Sequence, residues 1–86
     1  MLDVRTTPEI AQGFIEGAIQ MDFNDRKFKN NLATLDKDKT YFVYCASGIR
    51  SARALAIMKD MGFARVHHLA GGLAAWKDAG LPVTKK

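Results

Sequence analysis

Tyr41-Phe42-Val43-Tyr44-Cys45-Ala46-Ser47-Gly48-Ile49-Arg50-Ser51 is the stretch that decides the fold. Its first five residues are aromatic or β-branched with almost no polar alternation, which predicts a strand covered on both faces. Ser47-Gly48 breaks that strand. From Ser51 to Met61 the apolar residues Ala54, Leu55, Met58 and Met61 recur at helical spacing, and Gly62 stops the helix. A buried strand running through a short glycine-containing loop into a helix is half of a parallel β-α-β unit.

The flanks repeat the alternation. Leu2 to Val4 reads as a strand stub. Thr7-Pro8-Glu9 reads as a helix start, with Thr7 as N-cap, Pro8 in the first turn and Glu9 at the positive end of the dipole; Gly13 ends it. Ala18 to Met21 is apolar enough for a buried strand. Asn24 or Asp25 can cap a helix over about 26–35, with Phe28, Leu32 and Leu35 on one face. Val66 to Leu69 is a last strand, Gly71-Gly72 a turn, and Leu73 to Ala79 a closing helix stopped by Gly80. The expected fold class is α/β: an open parallel sheet of four to five strands with helices on both faces.

With 86 residues, the chain has room for one domain, spanning 1–86. Its 48% hydrophobic and 26% charged residues are the balance of a globular domain rather than a disordered one. No apolar run is long enough to span a bilayer. A single cysteine excludes an internal disulfide, and one Cys with two adjacent His cannot make a zinc finger. The net charge of +4 comes from positive residues interleaved with acids, as in Asp36-Lys37-Asp38-Lys39, without a basic stripe, so nucleic acid is not an expected partner. Met1-Leu2-Asp3 enters folded-looking sequence at once, the pattern of a chain from which a leader or a first strand has been trimmed.

The chemistry concentrates at the strand–loop–helix junction. Ligand sites of open α/β sheets lie at the carboxyl ends of strands, where Cys45 stands. If the loop curls around the sulfur, up to five amides, from Ala46 to Arg50, can point at it, and the start of the helix adds its positive dipole end. Arg50 puts a full charge at the rim. Each lowers the thiol pKa and suits a sulfur nucleophile carrying negative charge. The other reading is a small buried hydrophobe at a strand end; the order strand, cysteine, loop, arginine, helix favours the reactive one.

These residues resemble the rhodanese-homology domains. Asp3-Val4-Arg5-Thr6-Thr7-Pro8-Glu9 is similar to their opening motif and Gly17-Ala18-Ile19 to their second strand. Cys45 to Ser51 is similar to their C-x-x-G-x-R-S loop, and Gly62-Phe63, Val66 and Gly71-Gly72-Leu73-Ala74-Ala75-Trp76 to their closing signature; Leu81-Pro82-Val83 matches their ending. The resemblance covers the whole chain in order. It implies a thiosulfate or persulfide sulfurtransferase: a small anionic donor leaves its outer sulfur on Cys45, and cyanide, a thiol or a sulfur-accepting protein removes it. Ala46, Ser47, Gly48, Ile49, Arg50 and Ser51 would bind the substrate, with Arg50 orienting the donor. No cofactor or metal is implied, and the expected state is a cytoplasmic monomer, or a periplasmic one if a leader was removed. The other activities it leaves are a sulfur-carrier or docking module, and a phosphatase or arsenate reductase. The last is disfavoured because C-x4-R is shorter than the C-x5-R loop sized for phosphate.

Three positions depart from the family pattern. Phe14 and Glu16 replace the usual histidine and proline before Gly17. Ala46 stands where arginine is common. The extra first strand is missing, which predicts four strands and an exposed edge. Among the remaining residues, Asp3 and Arg5 are expected to support the site as an ion pair or turn anchor, with substrate contact the other reading. His67 and His68 should point to opposite faces as surface or satisfied core residues, Trp76, Met58 and Met61 to lie in the core, and Arg53 on the surface.

Overall fold

A computed structural model describes residues 1–85. The elements are β1 (Leu2–Asp3), α1 (Thr7–Ala11), β2 (Ile19–Gln20), α2 (Phe28–Leu32), β3 (Thr40–Tyr44), α3 (Ile49–Asp60), β4 (Arg65–His68) and α4 (Gly72–Asp78). The four strands form one sheet in the order β2-β1-β3-β4, and every pairing is parallel. This is the α/β architecture expected, with four strands.

The alternation of β3 divides the core in two. Val43 faces α2 and α3, where Leu2, Phe28, Leu32, Ala54 and Met58 are buried with it. Tyr44 faces the other way and packs with Ile15 and with Leu73 of α4. Both central residues have no exposed surface, so the carboxyl end of β3 is gripped from both sides. Any group just beyond it is held by two layers of packing.

Several local expectations are corrected. The N-cap of α1 is Thr6 rather than Thr7, because the Glu9 carboxylate accepts from the Thr6 N–H (3.1 Å) and hydroxyl (3.0 Å), a capping-box arrangement. Helix α2 starts only at Phe28, since Asp25 Oδ1 accepts from the Lys27 N–H (2.8 Å) in a turn ahead of it. Strand β2 is an edge strand with Ile19 55% exposed, not a buried one. Strand β3 is covered on both faces only at its end: Phe42 is 51% exposed and stacks on His67. Met61 and Trp76 are half-buried at the margin of the core, while Met58 is fully buried and Arg53 is exposed. Phe14, where the family has histidine, pairs its backbone with Thr84 of the C-terminal segment, N–H to carbonyl in both directions at 2.8 Å. Among the described residues, no helix is long and apolar enough to cross a membrane, and no cluster of ligating side chains could hold a metal ion.

Candidate active site

Cys45 follows the last residue of β3 and is 1% exposed. The turn behind it is made by Gly48, whose φ of 104° lies in the left-handed region, where a side chain is costly. That turn reverses the chain over the sulfur. The Gly48 N–H then donates to Sγ at 3.0 Å, and the Ser51 N–H, in the first turn of α3, donates at 3.4 Å. The Ser51 hydroxyl lies 3.6 Å from Sγ, 3.1 Å from the Gly48 carbonyl and 3.3 Å from Nδ1 of His68.

Burial pushes the Cys45 thiol up. Hydrogen bonds from Ser51, by backbone and side chain, and from the Gly48 and Ser47 amides outweigh it, so the thiol is held below its ordinary value. Gly48 is one of the amides expected to face the sulfur, and Ser51 one of the expected site residues. The sulfur takes amide hydrogens from Gly48 and Ser51, and Ser51 lies one residue beyond the stretch 46–50; Ser47 and Ile49 are exposed on the rim and Ala46 is half-buried.

The first two carbonyls of the loop are bound from another helix. The first turn of α4 meets them: the Leu73 N–H donates to the Cys45 carbonyl at 2.8 Å and the Ala74 N–H to the Ala46 carbonyl at 3.1 Å. A helix start has unpaired N–H groups to give, and here they hold the peptide unit that joins Cys45 to Ala46 and the one that joins Ala46 to Ser47. The approach is close enough that a Cβ on Gly72 would collide with the backbone of Cys45 and Ala46.

Arg50 is not a free charge at the rim. Its two terminal nitrogens are engaged by Glu9, NH1 to Oε1 at 2.7 Å and NH2 to Oε2 at 2.8 Å. The guanidinium beside it holds the Glu9 carboxyl down at about 2. In the sequence Glu9 reads as a helix-start residue of the opening motif, and no local signal joins two positions 41 residues apart. Arg50 keeps an electrostatic hold on Cys45, whose negative form raises the arginine's own pKa after the larger effect of Glu9.

Asp3 and Arg5 stand behind the loop as a buried ion pair. Arg5 Nε donates to Asp3 Oδ1 at 3.0 Å and NH2 to Oδ2 at 2.7 Å, and NH2 also donates to the Gly13 carbonyl at 2.7 Å. The pair ties the end of β1 to the segment after α1, and so places the helix that carries Glu9. His67 and His68 point to opposite faces: His67 stacks on Phe42, while His68 reaches Ser51. No local signal marks the contact of His68, because it joins a strand to a helix start.

Comparison with known proteins places this geometry. The model of the Rhodanese-like domain family matches residues 1–79. A sulfurtransferase of Allochromatium vinosum is 39% identical over 83 residues, 96% of this chain and 76% of that protein. The thiosulfate sulfurtransferase PspE of Escherichia coli is 36% identical over 84 residues, 98% and 77% respectively. Among solved structures, a rhodanese-related protein of Thermoplasma volcanium superposes with a TM-score of 0.90 at 32% identity, covering 99% of this chain and 82% of that one. An E. coli rhodanese with anions superposes with a TM-score of 0.76 at 35% identity, covering 99% and 95%.

Proposed function

This chain belongs to the rhodanese-like domain family, with sulfurtransferases among its relatives, and we propose that it transfers sulfane sulfur through a persulfide on Cys45. The observation that carries the reading is the pair of amides, Gly48 and Ser51, directed at Sγ at the end of β3. They favour the thiolate, which is the nucleophilic form.

In the first half-reaction the Cys45 thiolate attacks the outer sulfur of thiosulfate. A bond forms between the two sulfurs, the bond from the outer sulfur to the sulfonate sulfur breaks, and sulfite leaves with the electron pair. In the second, cyanide or a thiolate attacks the terminal sulfur of Cys45–S–S⁻, and Cys45 leaves as thiolate. Both steps place negative charge on sulfur inside the loop, and fixed dipoles aimed at developing charge are a large source of catalysis. A persulfide needs room for one further atom, which suits the six-residue loop. With Arg50 paired to Glu9, the loop carries a neutralised rim, and the amides rather than a free cation hold the anionic sulfur. No metal or organic group takes part in this scheme.

The test is intact-mass spectrometry after incubation with thiosulfate, for the native chain and Cys45→Ser. The gain of one sulfur atom by the native chain alone is the expected result. No gain, with the thiol shown to be free, overturns the proposal for thiosulfate as donor.

A further inference from the structure

Ser51 has one hydroxyl proton and three neighbours that compete for it: Sγ of Cys45, the Gly48 carbonyl and Nδ1 of His68. Its backbone N–H is already committed to the sulfur. The hydroxyl therefore links the buried thiol to the half-buried imidazole, and its direction depends on whether Nδ1 carries a hydrogen.

Two arrangements contain the same number of protons. In one, the thiol S–H donates to Ser51 Oγ while the hydroxyl donates to a bare Nδ1. In the other, protonated Nδ1 donates to Oγ while the hydroxyl donates to the thiolate. Conversion moves the proton of Sγ to Oγ and the former hydroxyl proton to Nδ1; it leaves a thiolate and an imidazolium and needs no outside acid or base. Imidazole suits the role because it exchanges protons near neutrality.

We propose that His68 is a positioning residue for sulfur transfer, which acts through Ser51 to take up the proton of Cys45 and to turn the serine hydroxyl toward the sulfur anion. The inference rests on the persulfide reading for its purpose, though not for its test. Met1 lines the same cavity as His68. Arg50 of α3 is bridged to Glu9 of α1, with Asp22 in the arginine's field. On β4, His67 turns to the opposite face; on β3, Tyr44 does the same, beside Asp3 and Arg5. The first turn of α4, Gly72 to Ala75, carries no charge.

The experiment reads the relay from both ends and uses no sulfur donor, so it stands even if thiosulfate proves to be no substrate. The first readout is the rate of Cys45 alkylation by iodoacetamide as a function of pH in the native chain, His68→Asn, Ser51→Ala and the double variant. Asparagine keeps a hydrogen-bonding partner for Ser51 and cannot store the proton. Alkylation at pH 7 is expected to fall about threefold to tenfold in His68→Asn, and the double variant to be no slower than Ser51→Ala. The second readout, which needs no change at His68, is the NMR titration of its imidazole in the native chain and in Cys45→Ser. The imidazole resonances should respond to loss of the thiolate, because the coupling is reciprocal. A His68→Asn profile superimposable on the native one, or an imidazole titration indifferent to Cys45→Ser, overturns the proposal.

Discussion

Glu9 grips Arg50 through two parallel hydrogen bonds of 2.7 and 2.8 Å, while the same carboxylate accepts from the N–H and hydroxyl of Thr6. One side chain thus caps α1 and anchors the loop that carries Cys45. Two-pronged pairing of a carboxylate with a guanidinium fixes geometry as well as energy. The arginine that ends the loop is bound to the protein's own anion, so an anionic donor of the proposed kind would meet a compensated charge.

Replacing Glu9 by Gln removes that compensation. At low ionic strength KM for thiosulfate should fall about twofold to threefold, because the guanidinium field is uncovered, and high salt should erase the gain. Stability should drop by about 1 kcal/mol at pH 7, as for a partly exposed pair. Arg50 first, and Thr6 after it, hold the folded-state value of Glu9 at about 2, below the ordinary 4.5. The contribution is therefore complete above about pH 4.5 and lost as pH falls toward 2. Urea unfolding across that window should show a shallower acid decline in Glu9→Gln than in the native chain.

Gly72 and Gly80 both have positive φ, 60° and 76°, yet their surroundings differ. A Cβ on Gly72 would lie 2.6 Å from the carbonyl carbon and oxygen of Ala46 and would also strike the Cys45 carbonyl; nothing lies within 4 Å of one on Gly80. Gly80→Ala should cost about 1 kcal/mol, the backbone penalty alone. Gly72→Ala must push α4 off the loop, breaking the bonds from Leu73 and Ala74 to the loop carbonyls. Its cost should be about 2–4 kcal/mol, and the surviving folded fraction should take up sulfur poorly, read by urea unfolding beside persulfide mass.

The contrast between Cys45 and Arg50 marks how much the sequence discloses. The order strand, cysteine, glycine turn, helix is local, and its parts are adjacent in the chain, so the position of Cys45 and the parallel sheet around it could be read from residues 41–61. What Arg50 does depends on Glu9, and what the loop carbonyls do depends on Leu73 and Ala74. Those contacts join separate elements through tertiary packing and leave no periodic or compositional trace. The same reason explains His68, whose neighbour Ser51 lies 17 residues earlier. Boundary shifts have a smaller cause: side chains such as Asp25 and Glu9 satisfy backbone N–H groups in turns, and this competition moves a helix start by one or two residues.

Cys45 supplies a prediction with a definite sign. Against the upward push of burial, its hydrogen bonds with Ser51, Gly48 and Ser47 hold the thiol below its usual 9.0. The folded state then binds the proton less tightly than the unfolded chain. Stability from the thiolate is present above the unfolded value and disappears as pH falls through the lowered one. The difference in unfolding free energy between the native chain and Cys45→Ser should widen toward alkaline pH and narrow toward acid. Chemical denaturation at a series of pH values checks this, and a difference flat in pH would contradict the hydrogen-bonded thiolate.

Tyr44, next to Cys45 in the chain, faces the opposite core and titrates with the opposite sign. Burial first, and the neighbouring Asp3 carboxylate next, push its phenol up to about 12. The folded state keeps a proton that the unfolded chain gives up near 10.0, so stability is complete below pH 10 and is lost as pH rises toward 12. A shift of that size corresponds to about 2–3 kcal/mol. Tyr44→Phe removes this alkaline loss. It also strips the Ile15 N–H of its acceptor, the Tyr44 oxygen at 3.0 Å, at a cost of about 1–3 kcal/mol. The variant should therefore be less stable than the native chain at pH 7, and the gap should close or reverse between pH 10 and 12. Because the two proteins differ only at this side chain, the difference between the two curves isolates the tyrosine.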